Sequence, residues 1–160
     1  MFKKFQRTGL LCLMLLLGAL LITLCGCKDS EAPQSADTES AIVDSVLINR
    51  ADMLELVYHT APDTTLPQYR QVTDAAAIQA LCEDLQGRTG KKKTDPAIQG
   101  GEEIIVRFYE GDALLCHVGA ILHDHYVIYQ AADAAELQWY LSEGVATLFE
   151  QLWENAQPKP

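Results

Sequence analysis

The chain has 160 residues, 22 of them acidic and 12 basic, for a formal net charge of −10 at pH 7, and 49% are hydrophobic. That length accommodates a single domain around one core. An acid excess of this size disfavours nucleic acid or anionic lipid as a partner of the whole surface, since both repel it at long range.

The first segment, MFKKFQR, carries Lys3, Lys4 and Arg7 and no acid, and the run from Thr8 to Cys27 carries no charge. A basic start followed by an apolar stretch is the pattern of an export signal, although the run is also about long enough to span a bilayer as an uncleaved anchor. The residues at its end choose between the two. Leu24, Cys25, Gly26 and Cys27 place an aliphatic residue three positions before a cysteine and a small residue just before it, after which the chain turns polar at Lys28 and Asp29. This resembles the signal-peptidase box of bacterial lipoproteins, with Cys27 as the lipid acceptor. Cys25 fits less well, because Leu24 would stand where the small residue belongs.

The resemblance implies cleavage before Cys27 and a diacylglycerol on its thiol. Two acyl chains, at about 0.8 kcal/mol per buried CH₂, hold a protein on a membrane where one chain does not. The chain would then sit on the outer face of the bacterial cell membrane, lipid-anchored and extracytoplasmic. Cleavage removes three of the twelve basic residues and none of the acids, leaving a formal charge of −13. Read as a metal motif instead, C-x-C lacks further soft donors nearby.

Residues 1–26 are therefore expected to be a lipoprotein signal peptide and residues 27–41 a flexible tether, poor in apolar and aromatic residues. A single domain is expected over 42–155, with a disordered tail at 156–160. In VLINRADMLELVYHT, Leu54, Leu56 and Tyr58 alternate with Met53, Glu55, Val57 and His59, which predicts a strand. APDTTLP reads as a loop and QYRQV as a short strand.

TDAAAIQALCEDLQG predicts a helix with Ile78, Leu81, Cys82 and Leu85 on one stripe, Thr73 or Asp74 as N-cap and Gly87 in a left-handed terminating position. RTGKKKTDPAIQGG reads as a solvated loop that carries Arg88, Lys91, Lys92 and Lys93. From Glu102 to Gln130 three strand-like runs separated by EGD and HDH predict an antiparallel meander. Its middle run sets Leu114, Cys116, Val118, Ala120 and Leu122 on a core face, and Leu115, His117, Gly119 and Ile121 on the other. Finally, Leu137, Leu141, Val145, Leu148 and Leu152 fall at helical spacing, which predicts a long last helix, bent at Gly144 or broken with Ser142 capping a second piece.

The expected fold class is α+β, one antiparallel sheet of about four or five strands with two helices packed on one face. By its signal box and order of elements the chain resembles the small lipoproteins of Gram-positive bacteria, mostly of unknown function, with a single TATA-box-binding-protein-like or cystatin-like domain.

Two constellations suggest chemistry. His123 and His125 flank Asp124; if extended, both imidazoles would point one way and could chelate a divalent metal with His117 as third ligand, whereas a hairpin turn there needs no ligand. Cys82 on the helix stripe and Cys116 on the core face are placed to confront each other in an oxidising compartment, as a disulfide or as two buried thiols. No G-x-S-x-G, H-E-x-x-H or P-loop occurs, and Glu102 and Glu103 alternate across a strand, so no enzyme and no cofactor is expected. The functional expectation is a tethered binding or interaction module for a protein, peptide or wall polymer, with Tyr109 and His117 on an open sheet face. A metal-handling lipoprotein using the histidines is the alternative.

Overall fold

A computed structural model describes residues 38–60, 66–98 and 101–159. In chain order they form β1 (Glu39–Ala41), α1 (Ser45–Ile48), β2 (Met53–Thr60), β3 (Gln68–Val72), α2 (Ala75–Gln86), β4 (Thr89–Lys93), β5 (Glu102–Glu110), β6 (Ala113–Ile121), β7 (Tyr126–Ala131), β8 (Gln138–Leu141), α3 (Val145–Asn155) and β9 (Gln157–Pro158). All nine strands join one antiparallel sheet in the order β1-β4-β8-β7-β6-β5-β2-β3-β9.

The expectation of four or five strands and two helices is therefore wrong: among the described residues a nine-stranded sheet dominates, with three short helices. Four segments account for the difference. RTGKKKT is not a loop, because Lys91, Lys92 and Lys93 pair with Leu141, Tyr140 and Trp139. Lysine stems lie along apolar surface while their ammonium groups stay wet, so a lysine run serves as a strand near a sheet margin. Gly90 lets this strand approach closely, since a Cβ there would lie 2.9 Å from Tyr140 Cβ.

The long last helix is not formed either. Gln138–Leu141 is strand β8, with Tyr140 buried and Trp139 on the opposite face, and the helix begins only after Gly144, whose φ of +79° suits glycine. Gly144, not Ser142, holds the N-cap position. A stretch as short as Gln138–Leu141, with Trp139, Tyr140 and Leu141 in a row, satisfies both periods, and pairing with β7 settles it as strand. The outermost strands, β1 and β9, come from the stretches read as tether and tail.

Smaller departures have local causes. Asp44 starts α1 inside the run read as strand, its Oδ1 accepting from Val46 N at 2.8 Å, so the strand begins only at Met53. Gly87 ends α2 at φ −77°, not left-handed, as the chain passes directly into β4. The helix itself is as read: Asp74 accepts from Ala77 N at 2.8 Å, and Ile78, Leu81, Cys82 and Leu85 are buried.

The core lies between the helices and one sheet face. Ile48, Leu85, Val145 and Phe149 from the helices meet Leu54, Leu56, Val106, Phe108 and Val118 from the strands, all fully buried. A β-bulge in β5–β6 changes the expected alternation: Phe108 pairs with Cys116 and Tyr109 with Leu114. Leu115 turns into the core as a result, and Leu114 is left on the other face, 36% exposed. The end of α3 is fastened by Arg70, whose guanidinium donates to the carbonyls of Trp153, Glu154 and Ala156 and lies 4.6 Å from the centre of the Trp153 ring.

Candidate docking face

Successive strand residues point to opposite faces, so burying Leu54, Leu56, Ile104, Val106 and Phe108 under the helices sends their neighbours to the other side. Among the described residues no helix covers that second face. Register aligns Trp139, Ile128, Gly119, Ile105, Val57 and Tyr69 across six adjacent strands, which makes an apolar band. Val57 is buried within it, Ile105, Ile128 and Trp139 are half-buried, and Tyr69 is 43% exposed.

On one side of the band lies a charged group. Glu55 stands opposite Arg107 and is 6% exposed. Its Oε2 accepts from Arg107 Nη1 at 2.8 Å, and its Oε1 accepts from Lys159 Nζ. Burial alone would raise the Glu55 carboxyl, but the hydrogen bonds and charges of Lys159 and Arg107 outweigh it and hold the group below its ordinary value. His117 pairs with Arg107 from the next strand and is pushed down, first by burial and then by that guanidinium. Tyr109 is on the same face, its hydroxyl 3.5 Å from Glu55 Oε2. The structure thus places Tyr109 beside this carboxylate and His117 beside its guanidinium partner, while the register pairs Tyr109 with Leu114 and His117 with Arg107 rather than with each other.

On the band's other side Glu103 is paired with His59 and Ile121. Its Oε1 is buried without a hydrogen-bond partner, and the His59 Nε2 lies 4.0 Å from its Oε2, too far for a hydrogen bond. The carboxylate rests against Gly119, where a Cβ would come within 2.8 Å of Oε1, with Ile128 and Ile105 beside the same point. Burial raises its affinity for a proton, and the nearby His59 opposes this only in part.

The other expected sites fare differently. His117 lies within β6, whereas His123 and His125 occupy the β6–β7 turn with φ of 79° and 56°. The extended geometry that would aim both imidazoles together is absent, and among the described residues no group of three His, Cys, Asp or Glu side chains could hold a metal ion. Cys82 and Cys116 are free, buried thiols, and Cys82 Sγ donates to Ile48 O at 3.2 Å. Burial raises them to about 11 and about 12, with the Glu83 carboxylate adding to the rise at Cys82, and Cys82 and Asp44 to the rise at Cys116. Leu24, Cys25, Gly26 and Cys27 lie outside the described residues. No described helix is long and apolar enough to cross a membrane.

Sequence reasoning missed Glu55, Glu103, Arg107, Lys159 and Trp139. The alternation of Glu55 with buried leucines was a usable signal for the face; the partners came from strands remote in sequence. Comparison of the chain with protein-family models, with curated proteins and with solved structures found no match.

Proposed function

We propose that this chain is an extracytoplasmic lipoprotein, anchored through a diacylglycerol on Cys27, whose domain binds a polypeptide partner on the helix-free sheet face. The observation that carries the reading is the apolar band from Trp139 to Tyr69 on a face that no described helix covers. A contiguous apolar surface rimmed by polar groups is costly to leave in water and marks an interaction site. Aromatic residues at its two ends, Trp139 and Tyr69, are of the type enriched at the centres of interfaces. A polypeptide suits the band better than a wall polymer, because flat apolar surface rewards side chains rather than hydrated sugars or phosphates.

The anchor and the face are tested separately. Radiolabelled palmitate should appear on the wild type and vanish in Cys27→Ser; label retained on the variant would dismiss the anchor. A photocrosslinking amino acid at Trp139, in intact cells, should yield a polypeptide adduct that the same probe at the exposed Gln151 of α3 does not. Identical adducts from both positions, or none from Trp139, would dismiss the face.

A further inference from the structure

A carboxylate oxygen shut among isoleucines without a donor works against folding. Glutamine or leucine would fill the same space on β5 at lower cost, so Glu103 has no evident structural reason to be acidic. Its neighbours also exclude an internal remedy. His59 Nε2 is 4.0 Å away, beyond hydrogen-bond reach, and Arg107 and Lys159 are committed to Glu55. What Glu103 lacks is a hydrogen-bonded cation, and its position beside Ile105 and Ile128 puts it at the margin of the apolar band.

We propose that Glu103 is a recognition anchor, receiving the lysine or arginine side chain of the docked polypeptide against the walls formed by Ile105, Ile121 and Ile128. Gly119 supplies the seat: without a side chain there, the carboxylate lies down on the strand beneath it. An incoming ammonium or guanidinium would reach the carboxylate through Oε2, the oxygen nearer His59, and offset the charge it shares with the buried Oε1, while its methylenes cover the isoleucines. A charge-assisted hydrogen bond formed where water is scarce discriminates strongly, because a neutral or acidic residue would leave the carboxylate desolvated and unpaired. The chain's net charge of −10 draws basic partners from a distance in the same sense. The inference rests on the helix-free face being the docking face.

The test uses n-butylammonium and n-propylguanidinium, the lysine and arginine side chains without their backbone, titrated into the isotopically labelled protein, with n-butanol as the uncharged control. Both cations should shift the amides of Glu103, Ile105 and Gly119 saturably, at least about tenfold more tightly than butanol, a difference of about 1.4 kcal/mol. In Glu103→Gln that preference should disappear. Equal shifts from butanol and the cations in the wild type overturn the anchor without recourse to any variant, as do cation shifts that persist in Glu103→Gln or map elsewhere. If the anchor fails while the adduct from Trp139 remains, the docking face stands without it; if that adduct is absent too, both readings fall.

Discussion

Glu55 and Arg107 stand directly opposite each other on β2 and β5 and close a 2.8 Å ion pair on the sheet face that no described helix covers, with Lys159 completing the carboxylate from beside the last strand. The pair joins the middle of the sheet to its C-terminal edge. Nearly buried, Glu55 depends on both cations, since removing one donor leaves a desolvated charge.

Arg107→Met should accordingly cost about 1–3 kcal/mol in urea denaturation at pH 7. The folded Glu55 carboxyl sits below its unfolded value, so its contribution is complete above the ordinary carboxylate range and is lost as pH falls through the depressed folded value. Glu55→Gln should flatten that part of the acid limb. In Arg107→Met, NMR titration should also show His117 moving upward part of the way, because burial is the larger cause of its lowering and remains. An unmoved His117 would contradict the contact.

Glu103 predicts the opposite pH sense. Its folded carboxyl is raised, so its relative contribution is greatest at acid pH and is lost as pH rises through the folded value. Glu103→Gln should gain up to about 1 kcal/mol over wild type at pH 8, the scale of relieving an unsatisfied buried group, and the gain should shrink toward pH 4. A loss at pH 8 would mean the carboxylate is already well paired.

Gly90→Ala tests whether the lysine run is a strand. The new Cβ would meet Tyr140 Cβ at 2.9 Å and Leu141 O at 3.2 Å, so thermal denaturation should show a destabilisation of about 1–3 kcal/mol. In a solvated loop the same change would be neutral or mildly stabilising.

Cys82 and Cys116 should resist alkylation in the native protein even at pH 9, because burial raises both thiols to about 11 and about 12 and denies reagent access. After denaturation without reductant, peptide mapping should find both alkylated. A peptide pair joined through these two cysteines would overturn their description as free thiols.

Much of the local structure was legible in the residues. The apolar stripe Ile78, Leu81, Cys82, Leu85 with Asp74 ahead of it specified α2, and the runs around EGD and HDH specified the β5–β6–β7 meander. The strands that were misread carry no local signature. Lys91–Lys93 has no alternation to detect, and Leu141 continues the helical spacing of the residues after Gly144 although it belongs to a strand. The candidate site was half visible: Tyr109 and His117 lie on the face expected of them, but the groups that give it chemistry are paired across strands about fifty residues apart, as Glu55 is with Arg107.

By itself the sequence determined the acidic balance, the period of α2 and the meander, and the turns, because these depend on neighbours within one turn of helix or one hairpin. Only the tertiary structure decided that β4 and β8 complete a nine-stranded sheet, that a bulge exchanges Leu114 with Leu115, and that Glu103 lies on Gly119 without a donor. Strand pairing and the satisfaction of a buried charge are set by residues distant along the chain, and no short window of sequence contains both partners.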